Sequence, residues 1–500
     1  MWAWNSDSVL PDYLSMAGFW GFTPLRNGGI MSTPENKQSA ACCTTKKMSL
    51  NFHSLDTKLS RRVVLRSSAI AVFGAALPLA SRPASSRYAP YRGQTVTFSL
   101  PYHPHYDAAL KLLDPFTRET GIKVEVARES MLRLKPLQIN ELSQASSNFD
   151  LISYVVTWKS EFVQKNLIAP LEPFLKNSDL ADPAYALGDI VPSYLQNIGL
   201  VGGPKGYLPG AGARLYGLPY GAETSILAYR ADIFSKLNLR PPGTYAELRS
   251  MLQPLRERSG IGALTSRGQT GHNCVHAWLL HLNPLGGRVF DDDWKPTFHQ
   301  APGVAALELL RKIAETGPEG MANYAFPDML NAFVDGRSAM YLDSTAVFGA
   351  VRSSVRSRVQ GQVAYALHPT GARSASQSGG LGLAIARTSP RAEAAFLLMQ
   401  WLTSKAQDKA VCLLGGGPSR QSTLSDATVL AAYPEYAVLR AQLRYADPDW
   451  RPIIAPWDEI NAGPLGSAIF QGMTGAKAPG AALADIVYRV NEIMRTSGYT

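Results

Sequence analysis

The sequence predicts an α/β protein with more than one lobe. Three observations carry that expectation. Five hundred residues exceed what one hydrophobic core usually organises. The chain after Arg87 opens as strand, loop, helix, strand. A strand-like run from Thr224 to Tyr229 then sits mid-chain, between a loop punctuated by Gly217, Pro219 and Gly221 and a new helix. That run reads as leaving one lobe and entering a second, with a cleft beside it. Tyr220, Glu223 and Thr224 would lie at the crossing. The competing reading of the pattern alone is a core strand edge with a solvated glutamate.

The totals exclude several classes. A composition of 46% hydrophobic and 18% charged residues fits a globular protein. No run approaches the roughly 18 apolar residues that span a bilayer. The net charge is +10, but residues 1–84 hold nine Lys/Arg against four Asp/Glu, so half of the excess lies there. With no long basic cluster, nucleic acid is not an expected partner. Four cysteines make no disulfide framework, and Cys274 and Cys412 are expected as buried free thiols.

Residues 1–47 show no sustained periodicity and are expected to be disordered or foreign to the mature protein, with Met48 an alternative start. Residues 48–86 read as a twin-arginine signal peptide. Ser60-Arg61-Arg62-Val63-Val64-Leu65 precedes a short apolar run, Ser67 to Ala80, and export to the periplasm follows.

The ordered chain begins with a strand at Thr95–Leu100 and an aromatic loop, Pro101 to Tyr106. A helix over Asp107–Glu119 is stopped by Gly121, and the strand Ile122–Val126 follows. Open α/β sheets place ligands at strand ends, which marks Tyr102 and His103. His103 and His105 lack an acidic partner nearby, so no metal is expected there. A helix over 133–143 leads to the strand Phe149–Tyr154 and to Trp158 in the next loop. Residues 172–213, rich in Pro, Gly, Asn and Asp, read as a long surface excursion. Thr244 and Glu247 form a capping box for a helix to about Ser259. His272 and His276 are spaced for zinc, but no acid or further Cys lies close, and no metal or cofactor is expected. Acids 291–293 lack EF-hand spacing. Ser378–Ile385 is a Gly-rich strand without a dinucleotide fingerprint. Its Gly380 would let backbone approach a ligand.

Ordered phrases along the chain resemble one family. They include Glu119-Thr120-Gly121-Ile122-Lys123-Val124, Leu215-Tyr216-Gly217-Leu218-Pro219, Pro241-Pro242-Gly243-Thr244-Tyr245, and Phe333-Val334-Asp335-Gly336 through Ala339-Met340. The most specific is Ala394-Ala395-Phe396 with Trp401-Leu402-Thr403-Ser404-Lys405-Ala406-Gln407. The set resembles the extracellular solute-binding proteins of ABC importers, in the sugar-binding group with maltodextrin-binding protein. The resemblance implies a periplasmic-binding-protein-like fold, two α/β lobes joined by hinge strands around a ligand cleft. Residues 87–222 with 362–407 would form lobe 1, and 223–361 with 408–500 lobe 2. A second crossing is expected near 361–365. The implied function is capture of a sugar or polyol and delivery to membrane permease subunits, by a monomer without enzymatic activity.

Tyr102, His103, Trp158, Tyr220, Glu223, Thr224, Asn273, Trp278, Asp343, Gly380, Arg420 and Trp457 are the expected ligand contacts. Trp158 could stack on a sugar face. Trp278 near the cleft and Arg420 in a loop near the ligand are placed by the resemblance, and a guanidinium there could fork onto a hydroxyl pair or a carboxylate. The rival reading is a secreted glycoside-acting enzyme. It would need two carboxylates, and Glu223 with Asp343 is the obvious pair. No G-x-S-x-G or H-E-x-x-H motif supports other hydrolytic chemistry.

Overall fold

The computed structural model describes residues 87–499. The expected leader and twin-arginine segment, 1–86, lie outside the described residues. Eleven strands occur among those described: β1 (Thr95–Pro101), β2 (Lys123–Glu129), β3 (Leu151–Val155), β4 (Leu200–Val201), β5 (Arg214–Leu215), β6 (Leu218–Arg230), β7 (Gly262–Thr265), β8 (Ser338–Ser344), β9 (Val363–Ala366), β10 (Ser376–Ile385) and β11 (Ala446–Asp447).

The main sheet has the order β2-β1-β3-β10-β6-β8-β7, with β9 on β6 and β11 on β10. Pairing of β1 with β2 and β3 is parallel, as is that of β7 with β8. β10 runs antiparallel to both β3 and β6. The long strand β6 serves both halves. Leu218 to Thr224 bond to β10, Ser225 to Tyr229 bond to β8, and Leu227 to Arg230 bond to β9. Thirteen residues of one strand thus belong to two half-sheets, as the apolar run through Thr224–Tyr229 predicted.

Apolar helices cover both halves. In the first, Val96, Phe98, Leu218 and Leu383 pack with Phe396 and Met399 of helix Ala392–Leu402. In the second, Leu227, Leu264 and Met340 pack with Leu248 and Leu252 of helix Tyr245–Ser259. The capping box of that helix is formed: Glu247 N donates to Thr244 Oγ1, and Thr244 N donates to Glu247 Oε2. A third cluster joins Phe162 and Ile168 to Trp450, Trp457, Leu310 and Val490. Cys274 and Cys412 are buried free thiols. No helix of the described residues is long and apolar enough to cross a membrane.

Several elements differ from the sequence expectation. The helix expected over 107–119 breaks at a 3-10 turn, Leu110–Leu112, and restarts as Leu113–Thr120. Pro115 lacks an N–H and is tolerated only in a first turn, so the restart falls just before it. Residues 172–213 are no surface excursion: Tyr194, Asn197, Ile198 and Tyr207 are buried, and short helical turns hide in the Pro/Gly composition. The segment near 361–365 becomes β9, which pairs only with the far half of β6, and the return into the first half runs along β10. The last helix is split at Ile486.

Gly380 sits at a register shift of β10 with φ +98°. A Cβ there would lie 2.5 Å from the Gly221 carbonyl oxygen. Its small size admits the neighbouring strand. Gly380→Ala should therefore destabilise the fold by about 1–3 kcal/mol through left-handed strain alone, with more from the clash. Urea unfolding reads this directly, and an unchanged midpoint would contradict the bulge geometry.

Candidate functional site

The parallel register of β7 and β8 builds the first part of the site. Thr265 pairs with Tyr341. Two residues further along each chain stand Arg267 and Asp343, so the two are brought side by side. Arg267 Nε donates to Asp343 Oδ2 at 2.9 Å, and Nη2 to Oδ1 at 2.6 Å. Asp343 is 1% exposed. Burial would raise its carboxyl, but Arg267 and then His276 hold it far below the usual range. Breaking such a buried pair costs roughly 3–5 kcal/mol. The guanidinium of Arg267 also lies 4.6 Å above the Phe326 ring.

Glu223 is placed by β6. It stands opposite Gly379 of β10, which has no side chain to fill the space beside it. Ser344, at the end of β8, donates its hydroxyl to Glu223 Oε2 at 2.6 Å. His103, just past β1, brings Nε2 to 3.8 Å from Glu223 Oε1. Burial would push the Glu223 carboxyl up, but His103, Ser344 and Arg267 together leave it lowered. Its side chain is still 24% exposed and that of His103 22%, so both face open space. Tyr102 stands at the rim, 63% exposed, beneath the Arg128 guanidinium at 4.5 Å.

The opposite wall comes from helix His272–Leu282 and the loop 447–457. His272 is exposed to this space yet ringed by protein, and burial, His276 and the arginines Arg451 and Arg267 push its imidazole well down. His276 Nε2 comes to 3.5 Å from Asp343 Oδ1, beyond a good hydrogen bond, and both its ring nitrogens are buried without a partner. Trp450 donates its indole N–H to Ser378 O at 2.6 Å. Arg451 is 5% exposed, and its guanidinium lies 4.7 Å over the Trp450 ring. Burial, then Arg267, lowers Arg451 to about 10, which leaves it charged at neutral pH.

Of the expected residues, His103 and Glu223 meet here, and Tyr102 stands at the rim. Trp158 is buried, tilted against Phe162. Trp457 is 1% exposed and its indole nitrogen has no partner. Five others lie elsewhere. Tyr220 packs in the first-half core, its ring centroid 4.3 Å from His105. Thr224 follows Glu223 in a strand, so it points to the other face, where Oγ1 donates to Gln377 O. Trp278 is fully buried, and its N–H donates to Gly303 O at 3.0 Å. Asn273 donates to Gln269 one helical turn away. Arg420 is fully buried, donating to Thr403 O, Ala186 O and Asp189, with Tyr185 stacked beneath. It ties the 186–189 segment to the first half. Asp343 itself is a partner for Arg267 rather than a free acid.

The arrangement does not suit a glycosidase. Such an enzyme would need two free carboxyls facing the substrate, whereas Asp343 is taken up by two hydrogen bonds from Arg267. The groups that converge are polar, rigidly held and poised for hydrogen bonding. Arg267, His276, Trp450, Arg451 and Asn197 were missed by sequence reasoning. Arg267 was recoverable, because it follows the end of β7, and strand ends mark ligand positions. The Pro-rich 448–452 loop gave no periodic signal.

Comparison with known proteins agrees with this geometry. Residues 102–409 match the model of the bacterial extracellular solute-binding proteins, and the chain belongs to that family. It is a solute-binding component of an ABC transporter and not an enzyme. A probable amino-acid ABC transporter periplasmic-binding protein of Sinorhizobium fredii is 26% identical over 428 residues, 82% of this chain and 91% of the relative. A mannitol-binding protein of Pseudomonas aeruginosa is 28% identical over 359 residues, 69% of this chain and 77% of the relative. Among solved structures, a solute-binding protein of Agrobacterium radiobacter in complex with ribitol superposes with a TM-score of 0.71. It is 25% identical, and the match covers 81% of this chain and 99% of that one.

Buried neutral histidines make the fold acid-sensitive. Burial lowers His105 and His368 to about 3, and His276 and His281 to about 4. All four take protons more readily when unfolded, near pH 6.5. Their contribution is complete above about pH 6.5 and is lost as pH falls from there toward about 4. Each group that stays neutral in the fold removes about 1.4 kcal/mol per pH unit in that window. Urea midpoints at pH 7.5 and 5.5 should differ clearly, and equal midpoints would contradict the burial of these rings.

Proposed function

We propose that the protein captures a sugar or polyol between its lobes and presents it to the permease of an ABC importer. The observation that supports this best is Glu223. It is an accessible carboxylate on the strand shared by both lobes, held ionised by Ser344 and His103. A carboxylate so fixed accepts hydrogen bonds from hydroxyls in a chosen direction. The mannitol-binding relative and the ribitol-bound neighbour support the same solute class. Tyr102 at the rim, His103, Trp158 and Trp457 belong to this reading as contacts that form or tighten on closure.

The protein acts as a monomer in this account. Lobe 1 comprises 87–222 with the segment from β10 onward, and lobe 2 comprises 223–366, β9 included, with the C-terminal helices. A boundary at 407/408 would cut helix Lys405–Leu413, and Arg420 is bound to Asp189, so the division is better drawn after Leu424. Thermal unfolding of the purified protein against polyols, sugars and amino acids tests the solute class, since a ligand of the folded state raises the midpoint. Amino acids belong in the panel because of the Sinorhizobium relative. A rise with a polyol or sugar is expected, and Glu223→Gln should weaken that solute by about 10- to 100-fold, the loss of one charge-assisted hydrogen bond or two. A rise with amino acids alone would overturn the assignment.

The twin-arginine segment completes the proposal, delivering the folded chain to the periplasm. Replacing Arg61 and Arg62 by Lys should leave the protein in the cytoplasmic fraction. Unchanged export of that variant would rule out this route.

A further inference from the structure

Arg451 makes no hydrogen bond and no ion pair, although it is 5% exposed. The acids around it, Glu223 and Asp458 among them, act on it without bonding to it. Asp343 holds Arg267 in two hydrogen bonds. Asp458 holds Lys135 at 2.5 Å. Glu223 accepts from Ser344. One guanidinium Nη2 lies 3.5 Å from where a Cβ of Gly379 would be. The side of the strand that faces Arg451 is therefore bare. Asn197 Oδ1 lies 4.0 Å from the same point and is also buried without a partner. The orientation of that amide is fixed, because its Nδ2 donates to Pro448 O at 2.8 Å. The backbone is fixed too, since the carbonyl of Asn197 accepts from Lys159 Nζ at 2.6 Å.

The position beside Gly379 thus has an unbonded guanidinium on one side, an unbonded acceptor oxygen on another and Val156 Cγ1 at 3.6 Å on a third. A carboxylate matches the first in geometry and charge. A hydroxyl on the adjacent carbon matches the second by donating to Asn197 Oδ1. A neutral diol would meet the hydrogen bonds but would leave the guanidinium without an anion bonded to it, since Glu223 and Asp458 act on Arg451 only from a distance. We infer that the solute is a polyhydroxylated acid, an aldonate whose α-hydroxycarboxylate end sits between Arg451 and Asn197 over Gly379. Glu223 is left to accept hydroxyl hydrogens further along the chain. This rests on the sugar-or-polyol reading above and narrows it.

Calorimetric titration of the full chain with matched pairs tests the inference: D-ribonate against ribitol, and D-mannonate against mannitol. The acid should bind at least about 10-fold more tightly than its alditol, a factor expected when one charge-assisted pair replaces a neutral one. Arg451→Met replaces an unpaired buried charge by an apolar side chain of similar length. It should melt no lower than the wild type without solute, and it should lose the preference for the acid. Arg451→Gln should do the same if the methionine variant folds poorly. Equal or tighter binding of the alditol overturns the inference and leaves the polyol reading standing. So does an equal weakening of both partners by either variant. Binding of neither member of either pair overturns the inference alone if another neutral sugar or polyol raises the melting temperature, and both readings together if no sugar, polyol or sugar acid does.

Discussion

A single strand holds this protein together. β6 spends its first half bonded to β10 and its second half bonded to β8 and β9. Several groups that face the cleft are placed with reference to it. Glu223 stands on it, Ser344 pairs with the residue two further on, and Gly379 lies directly across. Gly221 and Gly380, both at positive φ, let two strands approach where the half-sheets meet. A shared strand couples the lobes through backbone hydrogen bonds, which do not slip. On the capture proposed above, closure would bend about this strand, so that the cleft keeps its floor while its walls move.

The floor and the walls have different energetics. Asp343 and Arg267 satisfy each other and stiffen the end of the second half-sheet. Arg451, His276, Trp457 and Asn197 retain buried polar atoms without partners. Orphaned groups of this kind are costly in a resting protein. They make sense where a solute supplies the missing partner, because closure around it is driven only by contacts that the open state lacks. Stability is given up in the empty protein and recovered on binding.

The sequence made the architecture legible and the site only partly so. The α/β alternation, the apolar run through β6 and the capping box at Thr244 all follow from period and punctuation. Strand-end reasoning marked His103, and the lobe-crossing reading marked Glu223 and Thr224. The crossing reading failed for Thr224, because a strand alternates faces and only one of two neighbours can point inward. The resemblance misplaced Trp278 and Arg420, because a large side chain in the right segment is as readily a core residue as a contact. Arg451 and Asn197 escaped notice because they lie in Pro- and Gly-rich segments, where neither helical nor strand periodicity exists to mark them.

The central claim is that solute binds on the Glu223 face of β6. A crystal structure of the protein with a polyol, sugar or sugar acid that raises its melting temperature tests this most directly. The account predicts solute density in contact with Glu223 and over Gly379, with Arg451 engaged. Density anywhere else, with Arg451 still unpartnered, would contradict it.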